Sequence, residues 1–173
     1  TWAPSDIDRH PSSSMWRRFD INTIEKPDHP SDGYHVYTDG SKTVSGVGLG
    51  LVVLRDDVVL EEFSEPLTVE FSVFTAELQA INLAASALAK MKLTGESITI
   101  HSDSLSSLTM LKSAKIHSSL AADTIWKLQN ISKKNRLTLQ WVRAHIGTEG
   151  NKATDKLAKW ATRIRGPCRF RFK

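Results

Sequence analysis

The chain has 173 residues, of which 40% are hydrophobic and 24% charged, and it carries a formal net charge of +4. That length suits one globular domain with a modest appendage, and the composition excludes a fibrous repeat or a chain disordered throughout. No apolar run approaches the ~18–20 residues that span a bilayer, and Thr1-Trp2-Ala3-Pro4 forms no leader segment. Cys168 is the only cysteine, so an internal disulfide and a cysteine-based zinc cluster are both excluded. A soluble intracellular protein is expected, in nucleus or cytoplasm and not secreted. Its start on Thr reads as a piece of a longer polypeptide. The positive balance favours an anionic partner such as nucleic acid, although a basic surface that merely keeps the chain in solution accounts for it as well.

Residues 1–33 are rich in Pro, Ser, Asp and His and read as an irregular lead-in, with a boundary near Ser31-Asp32-Gly33. From Tyr34 the pattern changes. Residues 34–39, 46–54 and 58–63 read as three strands, with Arg55-Asp56-Asp57 as a tight turn, and their short links predict an antiparallel meander. A long helix is predicted from about Ser72 to Lys92, where Phe74, Leu78, Ile81, Ala85 and Leu88 recur at helical spacing and Gly95 ends the run. A fourth strand over 97–102, helices near 105 and over 119–132, a fifth strand around Leu137, Leu139 and Trp141, and a final helix from about Asn151 to Arg165 complete the order. Strands joined through helices imply a parallel portion, so an α/β fold is expected. It would hold a five-stranded mixed sheet, three antiparallel strands then two parallel, with helices on its faces. Residues 34–165 form the expected domain and 166–173 a basic tail.

Four acids stand at telling places. Asp39 and Asp103 end the first and fourth predicted strands, Glu77 flanks the apolar stripe of the long helix, and Asp155 lies in the first turn of the last. Each has an ordinary explanation. Asp39-Gly40 is a hairpin-turn dipeptide, Asp103 can cap the following helix, Glu77 can be a partly exposed flank residue, and Asp155 can complement a helix dipole. Brought together at one end of a sheet, the four would repel one another unless cations neutralised them or their protons stayed on. Their oxygens suit Mg²⁺ or Mn²⁺ and not zinc.

At these residues the sequence resembles ribonuclease H type I. The motifs are Tyr37-Thr38-Asp39-Gly40-Ser41, Thr75-Ala76-Glu77-Leu78-Gln79-Ala80-Ile81 and Ile100-His101-Ser102-Asp103-Ser104. A fourth runs from Trp141-Val142-Arg143-Ala144-His145-Ile146-Gly147 to Gly150-Asn151-Lys152-Ala153-Thr154-Asp155-Lys156-Leu157-Ala158. All four follow the family's order. The wording around Ser72-Val73-Phe74 and Ser102-Asp103-Ser104-Leu105 looks most like the domains of non-LTR retrotransposon polyproteins.

The resemblance implies a ribonuclease H-like fold and an endoribonuclease that cuts the RNA strand of RNA–DNA hybrids with two Mg²⁺, Mn²⁺ serving as substitute. Asp39, Glu77, Asp103 and Asp155 would be the metal ligands. His145, ten positions before Asp155, would be a mobile auxiliary histidine that moves a proton or aids product release. Gly40, Ser41, Lys42, Ser72, Ser104 and Asn151 would contact nucleic acid. A neighbouring polymerase domain is the expected partner, and the isolated domain is expected to be a monomer with no membrane association. His35 and His101, inside predicted strands, are expected to pack.

Some positions depart from the family. Lys152 stands where many relatives carry Glu, and Val73 and Phe74 stand where several place polar groups that touch nucleic acid. Added grip on the hybrid could come from Lys133, Lys134 and Arg136, or from Arg163, Arg165, Arg169, Arg171 and Lys173, since phosphate contacts are independent of sequence. Two other readings remain: an inactive or domesticated binding module that keeps the fold, and another enzyme on the same fold, such as an integrase or resolvase, for which the fourth motif is a poor match.

Overall fold

The computed structural model describes residues 19–25, 32–113, 118–143, 149–163 and 168–171. Seven strands and four helices occur among them, in the order β1 (Asp20–Asn22), β2 (Tyr34–Thr43), β3 (Gly46–Arg55), β4 (Val58–Leu67), α1 (Val73–Met91), β5 (Ser97–Ser102), α2 (Leu105–Lys112), α3 (Ser119–Ser132), β6 (Arg136–Trp141), α4 (Glu149–Ala161) and β7 (Cys168–Arg171). The strands form one sheet in the order β1-β6-β5-β2-β3-β4-β7. The expected mixed α/β arrangement stands at its centre: β2, β3 and β4 are antiparallel, while β5 runs parallel to β2 and β6 parallel to β5. Two short strands extend it beyond the five expected. β1, from within the predicted lead-in, pairs in parallel with β6, and β7, from the predicted tail, pairs antiparallel to β4.

Local chemistry sets the boundaries. Asp56 and Asp57 both have positive φ, 49° and 63°, which makes the β3–β4 link a two-residue turn whose twist matches that of the flanking strands. Asp39-Gly40, by contrast, is no turn. β2 runs through it to Thr43, and the chain reverses at Val44-Ser45, so the hairpin explanation of that dipeptide does not hold. Ser72 caps α1 by accepting the Thr75 N–H at 3.1 Å, and Lys92, left-handed at φ 52°, ends it, with Gly95 turning the chain toward β5. The last helix starts at Glu149 and ends at Ala161, a few residues ahead of the span expected.

Side-chain alternation gives the sheet two different faces. On one, Val36, Leu51, Val53, Ile98, Ile100, Leu137 and Leu139 pack with Leu78, Ile81 and Leu88 of α1, Leu108 and Leu111 of α2, and Ile125 and Leu128 of α3. Burying each such side chain is worth ~1.5–3 kcal/mol, so this face supplies most of the cohesion. The opposite face carries Asp39 and its cross-strand partner Gly50, and α4 lies over it. A Cβ on Gly50 would stand 2.7 Å from the Ala158 nitrogen and 2.8 Å from the Thr154 carbonyl oxygen, so glycine is what lets α4 seat. Ser64 on β4 fixes it further by donating to the Leu157 carbonyl at 2.6 Å.

Gly50→Ala should therefore cost ~1–3 kcal/mol of stability through overpacking against backbone. The urea midpoint of the variant measures this, and an unchanged midpoint would mean that α4 does not rest there.

Candidate metal centre

Three elements bring three acids together. Asp39 stands in β2. Asp103 follows the last residue of β5, and because Thr38 pairs with Ser102 in parallel register, the chain places Asp103 beside Asp39. Glu77 comes from the second turn of α1, which crosses β2 at Gly40. A Cβ on Gly40 would meet the Glu77 nitrogen at 2.7 Å, so only glycine permits that approach, and the Gly40 backbone also hydrogen-bonds the Glu77 carboxylate. One oxygen from each of Asp39, Glu77 and Asp103 lies within 4.8 Å of the others. Asp155, from α4, is outside that trio but hydrogen-bonds the Asp39 carboxyl from the far side.

The capping explanation of Asp103 fails, because Ser104 is the cap of α2, accepting the Ser107 N–H at 3.3 Å, and this leaves the Asp103 side chain to the cluster. Trp141 fixes the Asp103 backbone by donating its indole N–H to the carbonyl at 3.2 Å. Glu77 is buried at 7% exposure, so the flank reading does not apply to it.

Burial, reinforced by the charges of Asp103 and Asp155, pushes the Asp39 carboxyl up to about 8. Burial and the charges of Asp39 and Asp103 push Glu77 up to about 10. Glu77 Oε2 is buried and has no hydrogen-bond partner, a cost that a ligand at this spot would remove. An all-carboxylate oxygen set with an orphaned buried acceptor fits a hard divalent cation.

A residue not singled out in the sequence adjoins the site. Lys159, one turn beyond Asp155, holds its carboxylate in an ion pair at 2.8 Å, and the four-residue spacing was the available signal. His35 and His101 do pack, as expected, but as a polar pair: His35 Nδ1 and His101 Nε2 are 2.9 Å apart, and Tyr37 stacks on His101 with centroids 4.3 Å apart. Burial and the neighbouring His35 push His101 down to about 3, so it is neutral.

Of the expected nucleic-acid contacts, Ser72 and Ser104 are helix caps, Lys42 is exposed and donates to the Phe71 carbonyl at 3.4 Å, Ser41 is half-buried, and Gly40 lies beneath α1. Asn151 is in α4, its side chain outside the described set, and His145 lies outside the described residues. No helix among the described residues is long and apolar enough to cross a membrane.

Fold and site together describe an α/β domain with a buried acid cluster that can hold a hard cation. The family model for RNase H matches residues 31–163, and the chain belongs to that family. Among solved structures it is similar to RNase H1 from the halophilic archaeon Halobacterium salinarum NRC-1, at 19% identity and a TM-score of 0.58, over 74% of this chain and 96% of the archaeal one. That likeness bears on the fold. No curated protein matches the chain.

In the unfolded chain the Asp39 and Glu77 carboxyls titrate near 3.8 and 4.5, so the folded protein holds extra protons above those values. Stability without metal should therefore fall as pH rises from ~5 to ~8, because the unfolded state releases protons that the folded state retains. Thermal melting in chelator reads this directly. Asp39→Asn should raise the midpoint at pH ~8 and leave it unchanged at pH ~2.5, below the unfolded value of 3.8, where both states are protonated. A melting curve independent of pH in both proteins would contradict the repulsion inferred here.

Proposed function

We propose that this chain is an endoribonuclease that hydrolyses the RNA strand of RNA–DNA hybrids with two Mg²⁺, Mn²⁺ substituting. The observation that carries this reading is the convergence of Asp39, Glu77 and Asp103 around an unpartnered buried oxygen, with Asp155 adjoining, in a chain of the RNase H family. In this reading Asp39, Glu77, Asp103 and Asp155 would hold the ions. The bound ions supply Lewis acidity at the attacking water and at the departing oxygen. The protein's own work is to fix the carboxylates before substrate arrives. Gly40 and Gly50 set the seats of the two helices, and the Gly40 backbone orients Glu77. No side-chain nucleophile is required, and the products carry a 5′ phosphate and a 3′ hydroxyl. His145 acts as an auxiliary proton carrier or assists product release.

We assign the hydrolytic domain to residues 34–165, with 1–33 as lead-in and 166–173 as tail. The wording of the motifs supports an origin in a retrotransposon reverse-transcription polyprotein, where a neighbouring polymerase domain shares the hybrid. Gly40, Ser41, Lys42, Ser72, Ser104 and Asn151 are the proposed contacts to nucleic acid, and the isolated domain works as a monomer inside the cell. The alternative, an inactive binding module, is disfavoured because all four acids are in place.

Two measurements on labelled substrates test this. With Mg²⁺, wild type should cleave hybrid and spare duplex DNA and duplex RNA, whereas Asp39→Asn should be inactive yet folded by circular dichroism; hydrolysis by that variant discredits the assignment. His145→Ala should slow turnover and leave cleavage measurable, so total inactivity would assign His145 a larger role.

A further inference from the structure

Cations gather at the end of the sheet remote from the acid cluster. Ser97 pairs with Arg136 where β5 and β6 begin, whereas Asp103 follows where β5 ends, so about six residues of strand, or ~20 Å, separate the two ends. Lys133, Lys134 and Arg136 line a cavity of about 460 Å³ there, and Lys92 joins Lys134 on an adjoining one of about 410 Å³. Glu96 is the one acid lining either cavity, and it is paired with Arg55 at 3.7 Å. Among the described residues none of the four cations is ion-paired.

The backbone beneath them is held rigidly. Gly95 N–H donates to the Lys134 carbonyl at 2.7 Å and Arg136 N–H to the Glu96 carbonyl at 2.9 Å. Asn135 accepts from the Glu96 N–H and donates to the Leu93 and Ile131 carbonyls. Lysines after a helix often serve its terminal carbonyls. Here Asn135 and Ser132 already satisfy those of Ile131 and Gln129, so the lysine ammonium groups are not needed there.

An aromatic stands in line with them. Trp126 on α3 is 48% exposed, an unusual position for a large indole, and Asn130 and Lys133 follow at the spacing that keeps them on its helix face. Lys133 donates to the Asn130 side chain at 3.0 Å, tying that face to the basic corner. An exposed ring beside a track of cations is how single strands are held, with bases stacking and phosphates paired. A duplex keeps its base faces covered and cannot use the ring, and an acidic peptide has no use for it.

We propose that Trp126, Lys133, Lys134 and Arg136 form a binding surface for single-stranded nucleic acid, separate from the acid cluster. It holds an unpaired strand away from the site of hydrolysis and does not depend on the hydrolytic reading.

Fluorescence anisotropy of labelled oligo-dT with the whole chain in chelator tests it. Lys134→Gln/Arg136→Gln should weaken binding about tenfold and reduce the salt slope by roughly 1.4, as two lost phosphate contacts on a single strand require. Trp126→Ala should weaken binding about fivefold or more without changing that slope. Cleavage of a short hybrid should be unaffected in Trp126→Ala. The proposal is overturned if the charge-matched control Lys90→Gln/Lys112→Gln loses as much affinity. Equal binding by wild type and Trp126→Ala, or tighter binding of duplex DNA or polyglutamate than of oligo-dT at the same corner, overturns it as well.

Discussion

Carboxylates crowded to within 4.8 Å in a buried setting repel one another strongly, and the chain nonetheless keeps three of them there with a fourth adjoining. The protein tolerates this in two ways. Protons remain on Asp39 and Glu77 well above the usual carboxylate range, and Lys159 neutralises Asp155 from the outer side. Both devices leave the carboxylate oxygens open to exchange, since a divalent cation would displace the protons and compete with the lysine for them. The fold thus carries electrostatic strain at the cluster that could hold a hard ion. The apolar face of the sheet, with α1, α2 and α3 packed on it, supplies the stability that makes such strain bearable.

Two missing side chains set the geometry. Gly40 faces α1 and Gly50 faces α4, and because Gly50 is the cross-strand partner of Asp39, both helices close on the same point of the sheet from opposite sides. The parallel register of β5 on β2 then brings Asp103 to that point without any loop having to reach for it. The acids are consequently fixed by secondary-structure packing and not by flexible connections, as a preorganised ligand set requires.

Much of this was legible because periodicity is a local signal. The long helix, with its Ser72 cap, the three-stranded meander and the Asp56-Asp57 turn follow from spacing and turn chemistry. The ordinary explanations that fail, and the elements not foreseen, share a cause. Asp39-Gly40 has the composition of a hairpin turn, yet Gly40 is there to admit a helix thirty-odd residues later in the chain, a non-local reason that composition does not carry. Asp103 resembles a cap, but Ser104 beside it takes that role. β1 and β7 have only three and four residues, too short for alternation to show, and exist because distant strands offer them open edges. Lys159 was visible by spacing but gained meaning only once Asp155 was known to face the cluster.

Those two short strands have a further effect. Without them the sheet would end on β6 at one side and β4 at the other, each presenting a row of unsatisfied amides and carbonyls to any passing chain. β1 covers part of the first margin, and β7 covers residues Glu61 to Ser64 of the second. A fragment trimmed to the span its motifs delimit would keep every acid and still bare both margins, inviting sheet-to-sheet self-association. The segments that carry none of the carboxylates thus serve to close the margins of the sheet.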